Sequence, residues 1–276
     1  MPLRLTTLSE NTASNLDLLA EWGLSILVEA DGLRVLLDTG QSISAVHNAS
    51  LLEIDLSALD KIVLSHGHVD HTGGLREVLK RSQGVDIIAH PQIWAAKYVR
   101  CPGQMERYVG VPFQREELEN LGARFHLTTE PVRLGPMMTT GEIPLVTDFE
   151  AVDPDMYVKE KGDLIPDPLP DDQALIVPTE AGLVVILGCG HRGVINTLKR
   201  AQELTGEYPI YGVIGGSHLM RASPEQVERT IQALKEFGVQ RVGVSHCTGF
   251  HASRRLAQEF GEGFFLNNAG TIVTLP

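Results

Sequence analysis

Three histidines and one aspartate lie within the six positions 66–71 of this chain. They are His66, His68, Asp70 and His71, and they directly follow the short apolar run 61–64, which predicts a buried strand. In an extended chain, residues at i, i+2 and i+4 project to the same side, so His66, His68 and Asp70 are expected to converge while His71 points elsewhere. Imidazole with carboxylate is a donor set typical of zinc, iron, manganese or copper. The segment therefore predicts a metal site, and its loop could serve two cations.

Further motifs follow other predicted strands: Leu36-Leu37-Asp38-Thr39-Gly40, Leu187-Gly188-Cys189-Gly190-His191, Gly215-Gly216-Ser217-His218-Leu219 and Ser245-His246-Cys247-Thr248-Gly249. Segment 66–71 resembles the H-x-H-x-D-H signature of the metallo-β-lactamase-fold superfamily, and the other motifs extend the resemblance over most of the chain. Together they look like the subgroup of β-lactamase-superfamily II metal-dependent hydrolases. Some members of that subgroup are described as dihydropterin–aminobenzene ribofuranosyl phosphate synthases.

The resemblance implies a binuclear centre with about six protein ligands and a shared, ionised water. His66 and His68 are assigned to the first cation, and Asp70 and His71 by resemblance to the second. His246 looks like the final histidine of the superfamily. The sequence departs from the common pattern, because neither the usual glycine-histidine motif nor the bridging aspartate is present. The predicted ligands are thus His66, His68, Asp70, His71, His191 and His246, with His191 as the third-histidine candidate.

Four further residues have open roles. The hairpin register places Cys189 where the bridging aspartate is expected, which makes it a weaker candidate for a ligand or a supporting residue. Asp38 is interpreted as orienting a ligand histidine. His218 either binds metal or acts as a general acid, and Glu142 is a minor carboxylate candidate from the middle of the chain. Asp70 and His218 are the candidate catalytic residues, with Asp70 orienting the nucleophile or receiving its proton.

Composition restricts the setting of this site. The 276 residues include 43% hydrophobic residues, enough for a substantial core, and a formal net charge of -12 disfavours nucleic acid as a partner. The three cysteines (Cys101, Cys189 and Cys247) are widely spaced, which favours a reducing cytoplasm over a disulfide framework. No membrane span or signal-peptide pattern is expected. The expected partner is a small-molecule substrate, and the sequence leaves a homo-oligomer open.

Two apolar hairpins, 24–39 and 174–188, each lead into a ligand-bearing turn, which suggests an internal duplication with two facing halves. The stripes Val194, Ile195, Leu198, Ala201 and Val227, Ile231, Leu234, Phe237 predict helices over 193–204 and 224–237, with Ser223 as an N-cap. The resemblance implies an α/β fold, a four-layered αββα sandwich. Residues 1–276 are expected to form one domain, with an insert at about 99–172 that covers the metal cleft or forms surface or dimer contacts.

The leading functional hypothesis is a binuclear metal-dependent hydrolase of the superfamily. Two divalent cations, with zinc preferred and manganese or iron as alternatives, would activate water against a small-molecule ester, phosphoester or amide. One alternative is the synthase-like coupling reaction that the subgroup name describes. The others are an iron-dependent oxygenase and a non-catalytic metal-binding sensor.

Overall fold

Two long β-sheets packed face to face form the centre of the molecule. The computed structural model describes residues 2–206 and 208–276, and within these ranges the strands form two seven-stranded sheets and one four-stranded sheet. The strands are β1 (Leu3–Ser9), β2 (Ser25–Ala30), β3 (Leu33–Leu37), β4 (Lys61–Val63), β5 (Val85–Ala89), β6 (Lys97–Val99), β7 (Arg107–Tyr108), β8 (Ala123–Leu127), β9 (Arg133–Leu134), β10 (Met137–Thr139), β11 (Met156–Glu160), β12 (Asp163–Pro166), β13 (Ala174–Thr179), β14 (Gly182–Leu187), β15 (Ile210–Gly216), β16 (Arg241–Ser245), β17 (Phe264–Leu266) and β18 (Ile272–Leu275).

The helices of the described residues are α1 (Ser44–Leu51), α2 (Val69–Thr72), α3 (Leu75–Leu79), α4 (Arg115–Asn120), α5 (Val194–Thr205), α6 (Pro224–Glu236) and α7 (Phe250–Phe260). Apart from α2, which belongs to the histidine-rich loop, they cover the outer faces of the two large sheets. Short 3-10 turns lie at Leu56–Ala58, Pro91–Trp94, His246–Thr248 and Gly261–Gly263. No helix of the described residues combines the length and apolar character that a bilayer crossing requires.

The apolar residues sort into three layers of core. One cluster lies between the two sheets and includes Ile26 and Val35 of the first sheet and Val184 and Ile186 of the second. A second cluster packs α1, α3 and α4 on the outside of the first sheet, and a third packs α5, α6 and α7 on the outside of the second. This arrangement confirms the four-layered αββα sandwich.

The two sheets repeat one topology. The first has the order β18-β1-β2-β3-β4-β5-β8 and the second β17-β16-β15-β14-β13-β10-β9. In each, an antiparallel hairpin, β2-β3 or β13-β14, is followed by parallel strands. The predicted hairpins and helices are confirmed to within about two residues, and the Ser223 side chain accepts the Gln226 N–H at 3.1 Å as the expected N-cap.

This topology determines where the motifs lie. In open α/β sheets, binding sites form at the carboxyl ends of parallel strands. Segment 64–71 follows β4, and Cys189, His191, His218 and His246 follow β14, β15 and β16. Because the two sheets face each other with these ends at the same edge, the motifs of both halves meet there.

The range predicted as an insert, about 99–172, is divided among all three sheets. Strand β8 is an edge strand of the first sheet, and β9 and β10 lie at the edge of the second. The third sheet, of order β12-β11-β6-β7, uses only the flanking parts of the range together with β6, which begins at Lys97. The sequence pattern was weak there because these strands are short and separated by prolines.

A buried ion-pair network connects the third sheet to the histidine-rich loop. The Lys97 ammonium lies 2.8 Å from Asp167 Oδ2 and 2.9 Å from Asp171 Oδ1, with all three side chains at most 1% exposed. The other carboxylate oxygen of Asp171 accepts the N–H of Gly67 at 2.8 Å. Because Gly67 stands between His66 and His68, the network fixes the loop that carries both histidines.

Replacing Lys97 with Met is expected to lower the free energy of unfolding by about 3–5 kcal/mol, because two carboxylates would remain buried without their cation. The matched control is Lys80→Met, which breaks the exposed Lys80–Glu77 pair and should cost less than about 1 kcal/mol. Urea unfolding curves measure both. Equal midpoints for the two variants would contradict a structural role for the network.

Candidate metal centre

Three imidazoles from both sheets form the first ligand group, defined as His66, His68 and His191. His66 Nε2 lies 3.0 Å from His68 Nδ1 and 3.2 Å from His191 Nε2. All three side chains are buried. The other ring nitrogen of His66, Nδ1, lies 2.9 Å from Ser65 Oγ. The structure therefore brings these three predicted ligands together.

The second ligand group, defined as Asp70, His71 and His246, lies beside the first. Asp70 Oδ2 is 3.3 Å from His246 Nε2, and the rings of His71 and His246 have centroids 5.2 Å apart. The His66 and His71 rings are 4.3 Å apart, so the two groups adjoin. All six predicted ligands thus converge on one edge of the sandwich.

Cys189 lies between the two groups. Its Sγ is 3.1 Å from His71 Nε2. The ligand atoms of His66, Cys189 and His191 all lie within 4.8 Å of one another, and so do those of His71, Cys189 and His246. The side chain that was a weaker candidate in the sequence is therefore the one that both sets share.

The geometric prediction for segment 66–71 is wrong beyond His68. His68 is extended, with φ -81° and ψ 148°, but it caps helix α2, so the chain turns helical from Val69 onward. Asp70 is therefore directed to His246, and His71 joins the cluster although it was expected to point away from it. One helical turn separates His68 from His71. Because of this turn, the loop supplies His68 to the first ligand group and His71 to the second.

Asp38 supports both the loop and a ligand. Its Oδ2 lies 2.7 Å from His71 Nδ1, and its carboxylate accepts the Ser65 N–H at 2.7 Å and the Ser65 hydroxyl at 2.6 Å. Burial by itself lowers the pKa of His71, but the carboxylates of Asp38 and Asp70 outweigh it and raise that pKa to about 9. Asp38 thus fixes which nitrogen of His71 faces the centre.

Three residues of the site adopt positive φ without being glycine: Asp38 (59°), His218 (50°) and His246 (53°). Such a conformation costs of the order of 1–3 kcal/mol and is maintained only where neighbouring contacts impose it. For His246 these contacts are visible, since Glu10 Oε1 accepts its N–H at 2.6 Å and Asn11 Oδ1 lies 2.9 Å from its Nδ1. The strain is concentrated at the ligand-bearing turns.

Sequence reasoning missed Glu10, Asn11 and Asp171. Glu10 and Asn11 directly follow β1, just as the ligand motifs directly follow their strands. Their position at a strand end could therefore have indicated that they belong to the site. Trp22, which packs edge-on to His246 at 5.0 Å between ring centroids, gave no such signal. Asp171 and Lys97 are 74 positions apart, and only the fold brings them together.

His218 lies at the rim of the centre. Its ring centroid is 4.2 Å from that of His191, and its Nε2 is 3.5 Å from Asp153 Oδ2. Burial opposes protonation, but Asp153 and Cys247 raise the pKa of His218 to about 10. An imidazolium beside a metal centre is suited to donating a proton, which is one of the two roles left open for it.

Glu142 lies elsewhere. Its carboxylate pairs with His90 Nε2 at 2.9 Å, and it lines a separate cavity of about 300 Å³ together with Arg192 and Arg200. None of the six predicted ligands lines this cavity.

A cavity of about 920 Å³ opens over the centre. Its floor includes His68, Asp70, Cys189, His191, His218 and His246. Its walls include the aromatic side chains of Trp22, Tyr108 and Phe113 and the charged side chains of Arg107, Asp153 and Arg221. Ligand atoms of both groups therefore face a space large enough for a small molecule.

The donor set fits divalent cations. Imidazole nitrogens meet nitrogen to nitrogen, and His68 Nε2 and His191 Nδ1 are buried without a hydrogen-bond partner among the described residues. Burial lowers the pKa of His68 to about 3 and that of His66 and His191 well below the usual value, so these rings are neutral and offer lone pairs. Neutral imidazole is the form that binds metal.

Comparison with known proteins agrees with this geometry. Residues 23–197 match the family model described as the metallo-beta-lactamase superfamily. A relative from Methanocaldococcus jannaschii, named 7,8-dihydropterin-6-methyl-4-(beta-D-ribofuranosyl)-aminobenzene-5'-phosphate synthase, is 35% identical, and the match covers 98% of this chain and 96% of the relative. An uncharacterised protein of the same organism is 30% identical, with 96% and 98% covered.

Among solved structures, one described as a metal-dependent hydrolase of the beta-lactamase superfamily superimposes with a TM-score of 0.85. It is 32% identical, and the match covers 98% of each chain. The chain belongs to the metallo-β-lactamase superfamily, as its motifs indicated. The fold implies divalent metal binding, and the ligand groups provide residues that could hold the metal.

The pKa of His71 predicts a pH dependence of metal binding. A histidine with a pKa of about 9 carries a proton at neutral pH, so a cation that takes His71 Nε2 must displace it. The contribution of His71 to zinc affinity should fall about tenfold per pH unit below 9 and level off above 9. Asp38→Asn, which removes the charge that raises the pKa, should move the plateau to lower pH.

Calorimetric titration of the metal-free protein in buffers of different ionisation enthalpy measures the released proton. Zinc binding at pH 8 without proton release, together with constant affinity between pH 7 and 9, would contradict this role of His71.

Proposed function

We propose that the protein is a binuclear metal-dependent hydrolase acting on a small-molecule ester, with phosphoesters as the preferred class. The observation that carries the proposal is that Cys189 lies within 4.8 Å of histidine ligands from both groups, while other members of the two groups line the floor of an open cavity. A purely structural site would close its coordination sphere with protein, whereas this one faces the cavity. Two divalent cations, zinc in the first place, would activate water and stabilise negative charge on a substrate oxygen.

The chain's own residues divide the remaining tasks. His66, His68 and His191 would hold one cation, and His71 and His246 with Asp70 the other. Asp70 Oδ2 faces the cavity beside His246, where it can orient the attacking water and receive its proton. His218, protonated and with its Nε2 3.5 Å from Asp153 Oδ2, can donate a proton to the leaving oxygen.

The cavity walls support an anionic substrate with an apolar part. Trp22, Tyr108 and Phe113 offer flat apolar surfaces. Arg221 is paired with Asp153 at 3.3 Å and Asp155 at 2.5 Å, whereas Arg107 makes no ion pair within the described part of the chain. An unpaired guanidinium near a metal centre suits a phosphate group. Residues 99–113 and 153–156 would therefore select the substrate.

A second candidate is the coupling reaction named for the relative that is 35% identical over nearly the whole chain. That name describes a pterin joined through a methyl group to an aminobenzene carrying a ribofuranosyl phosphate. The aromatic wall of Trp22 and Phe113 and the cationic Arg107 suit planar rings and a phosphate equally well. Both candidates therefore require the same metal centre and differ in whether water or a second substrate attacks.

Replacing His66 with Ala tests the metal-dependent activity. His66 contacts both other members of its group, so its loss should lower metal content and reduce turnover of chromogenic phosphoesters by more than about 100-fold, beyond the effect of a merely supporting residue. The matched control is His47→Ala, a histidine of α1 outside the cavity, which should retain full activity. Full turnover and metal content in the His66 variant would defeat the assignment.

Replacing Arg107 with Ala tests the substrate class. KM for a phosphoester should rise about tenfold, because one charge-assisted hydrogen bond at the cavity wall is lost. The value of kcat should change little. KM for an uncharged ester of the same alcohol should not change. Arg254→Ala, an exposed arginine of α7, is the control. If the KM for the phosphoester is the same in Arg107→Ala as in the wild type, Arg107 does not bind phosphate.

A further inference from the structure

We propose that the Cys189 thiolate bridges the two cations, in the position that an aspartate carboxylate occupies in the common superfamily pattern, and that it biases the centre towards zinc. This inference rests on the proposed binuclear centre and deepens it. It assigns a bridging role to one residue and a metal preference to the centre.

The position of Cys189 supports the bridge. Its Sγ lies within 4.8 Å of the ligand nitrogens of His66 and His191 on one side and of His71 and His246 on the other. Each of the two sets draws its histidines from both sheets, and Cys189 is the member that they have in common. A single sulfur atom with access to both sets can bind a cation in each.

The glycine that precedes Cys189 determines how closely its sulfur approaches the histidine-rich loop. Cys189 follows β14 after Gly188, and a side chain at Gly188 would come within 2.0 Å of Ser65 Oγ and 3.0 Å of Asp38 Oδ2. Glycine therefore allows the end of β14 to lie directly against the loop that carries His66. The next residue, Cys189, is buried at 3% exposure and meets His71 Nε2 at 3.1 Å.

The second buried thiol of the centre, Cys247, has other partners. Its Sγ accepts the backbone N–H of His218 at 3.3 Å and lies 3.5 Å from the carbonyl oxygen of Cys189. Among the described residues it shares a possible ligand set only with Cys189 and His218. Cys247 therefore stabilises the turn that carries His218, and its sulfur does not lie between the two groups.

Sulfur in the bridging position changes which cations bind well. Thiolate ligands favour zinc and other soft or borderline ions, whereas carboxylates suit manganese and magnesium. On binding, the thiol proton is released to solvent and the sulfur becomes an anionic ligand. An aspartate at 189 would keep the charge and replace the soft donor with a hard one.

Cobalt substitution tests the bridge directly. The metal-free protein is loaded with Co²⁺, and thiolate-to-cobalt charge-transfer absorption is recorded in the near ultraviolet. The wild type should show this absorption, and Cys189→Ser should lose it. Cys247→Ser, a buried control in the same centre, and Cys101→Ser, a control outside it, should retain it.

The variant Cys189→Asp provides a second measurement if serine disturbs the fold. It should bind two cations without the charge-transfer band, and its preference should shift from zinc towards manganese by about tenfold or more relative to the wild type. Persistence of the band in Cys189→Ser, its loss in Cys247→Ser alone, or an unchanged metal preference in Cys189→Asp would overturn the proposal.

A failure of the hydrolase proposal can be distinguished from a failure of the thiolate bridge. A protein that shows the band and binds two cations, but turns over no ester, retains the thiolate bridge and loses the hydrolytic function.

Discussion

The carboxylate of Asp38 is the interaction on which the rest of the centre depends. It binds the backbone and hydroxyl of Ser65, at the start of the histidine-rich loop, and Nδ1 of His71, at its end. Both ends of the loop are therefore fixed to the end of β3 in the first sheet. Gly188 then lets the second sheet approach this same carboxylate, so that Cys189 and His191 meet the loop from the other side.

This construction leaves a cluster that is unfavourable without a cation. Neutral imidazoles face one another in a buried space, and three turns hold residues at positive φ. The surrounding network, from Lys97 and Asp171 on one flank to Glu10 and Asn11 on the other, compensates for this by fixing the ligands before metal arrives. A preorganised site of this kind binds metal tightly because little ordering remains to be done.

Much of this was predictable from local sequence signals. The hairpins, the two amphipathic helices and the position of each ligand motif at a strand end follow from hydrophobic periodicity and turn residues. Three features could not be obtained that way. The helical turn at Val69 redirects Asp70 and His71, the Lys97–Asp171 pair joins distant segments, and Cys189 becomes central only when two sheets meet. Each depends on contacts between residues far apart in the chain, which no local pattern encodes.

We propose that two cations bind on either side of Cys189. Anomalous diffraction from crystals of the zinc-loaded protein tests it most directly. Two zinc peaks are expected, one next to His66, His68 and His191 and the other next to Asp70, His71 and His246, with the Cys189 sulfur between them. A single peak, or zinc bound away from these two groups, would contradict it.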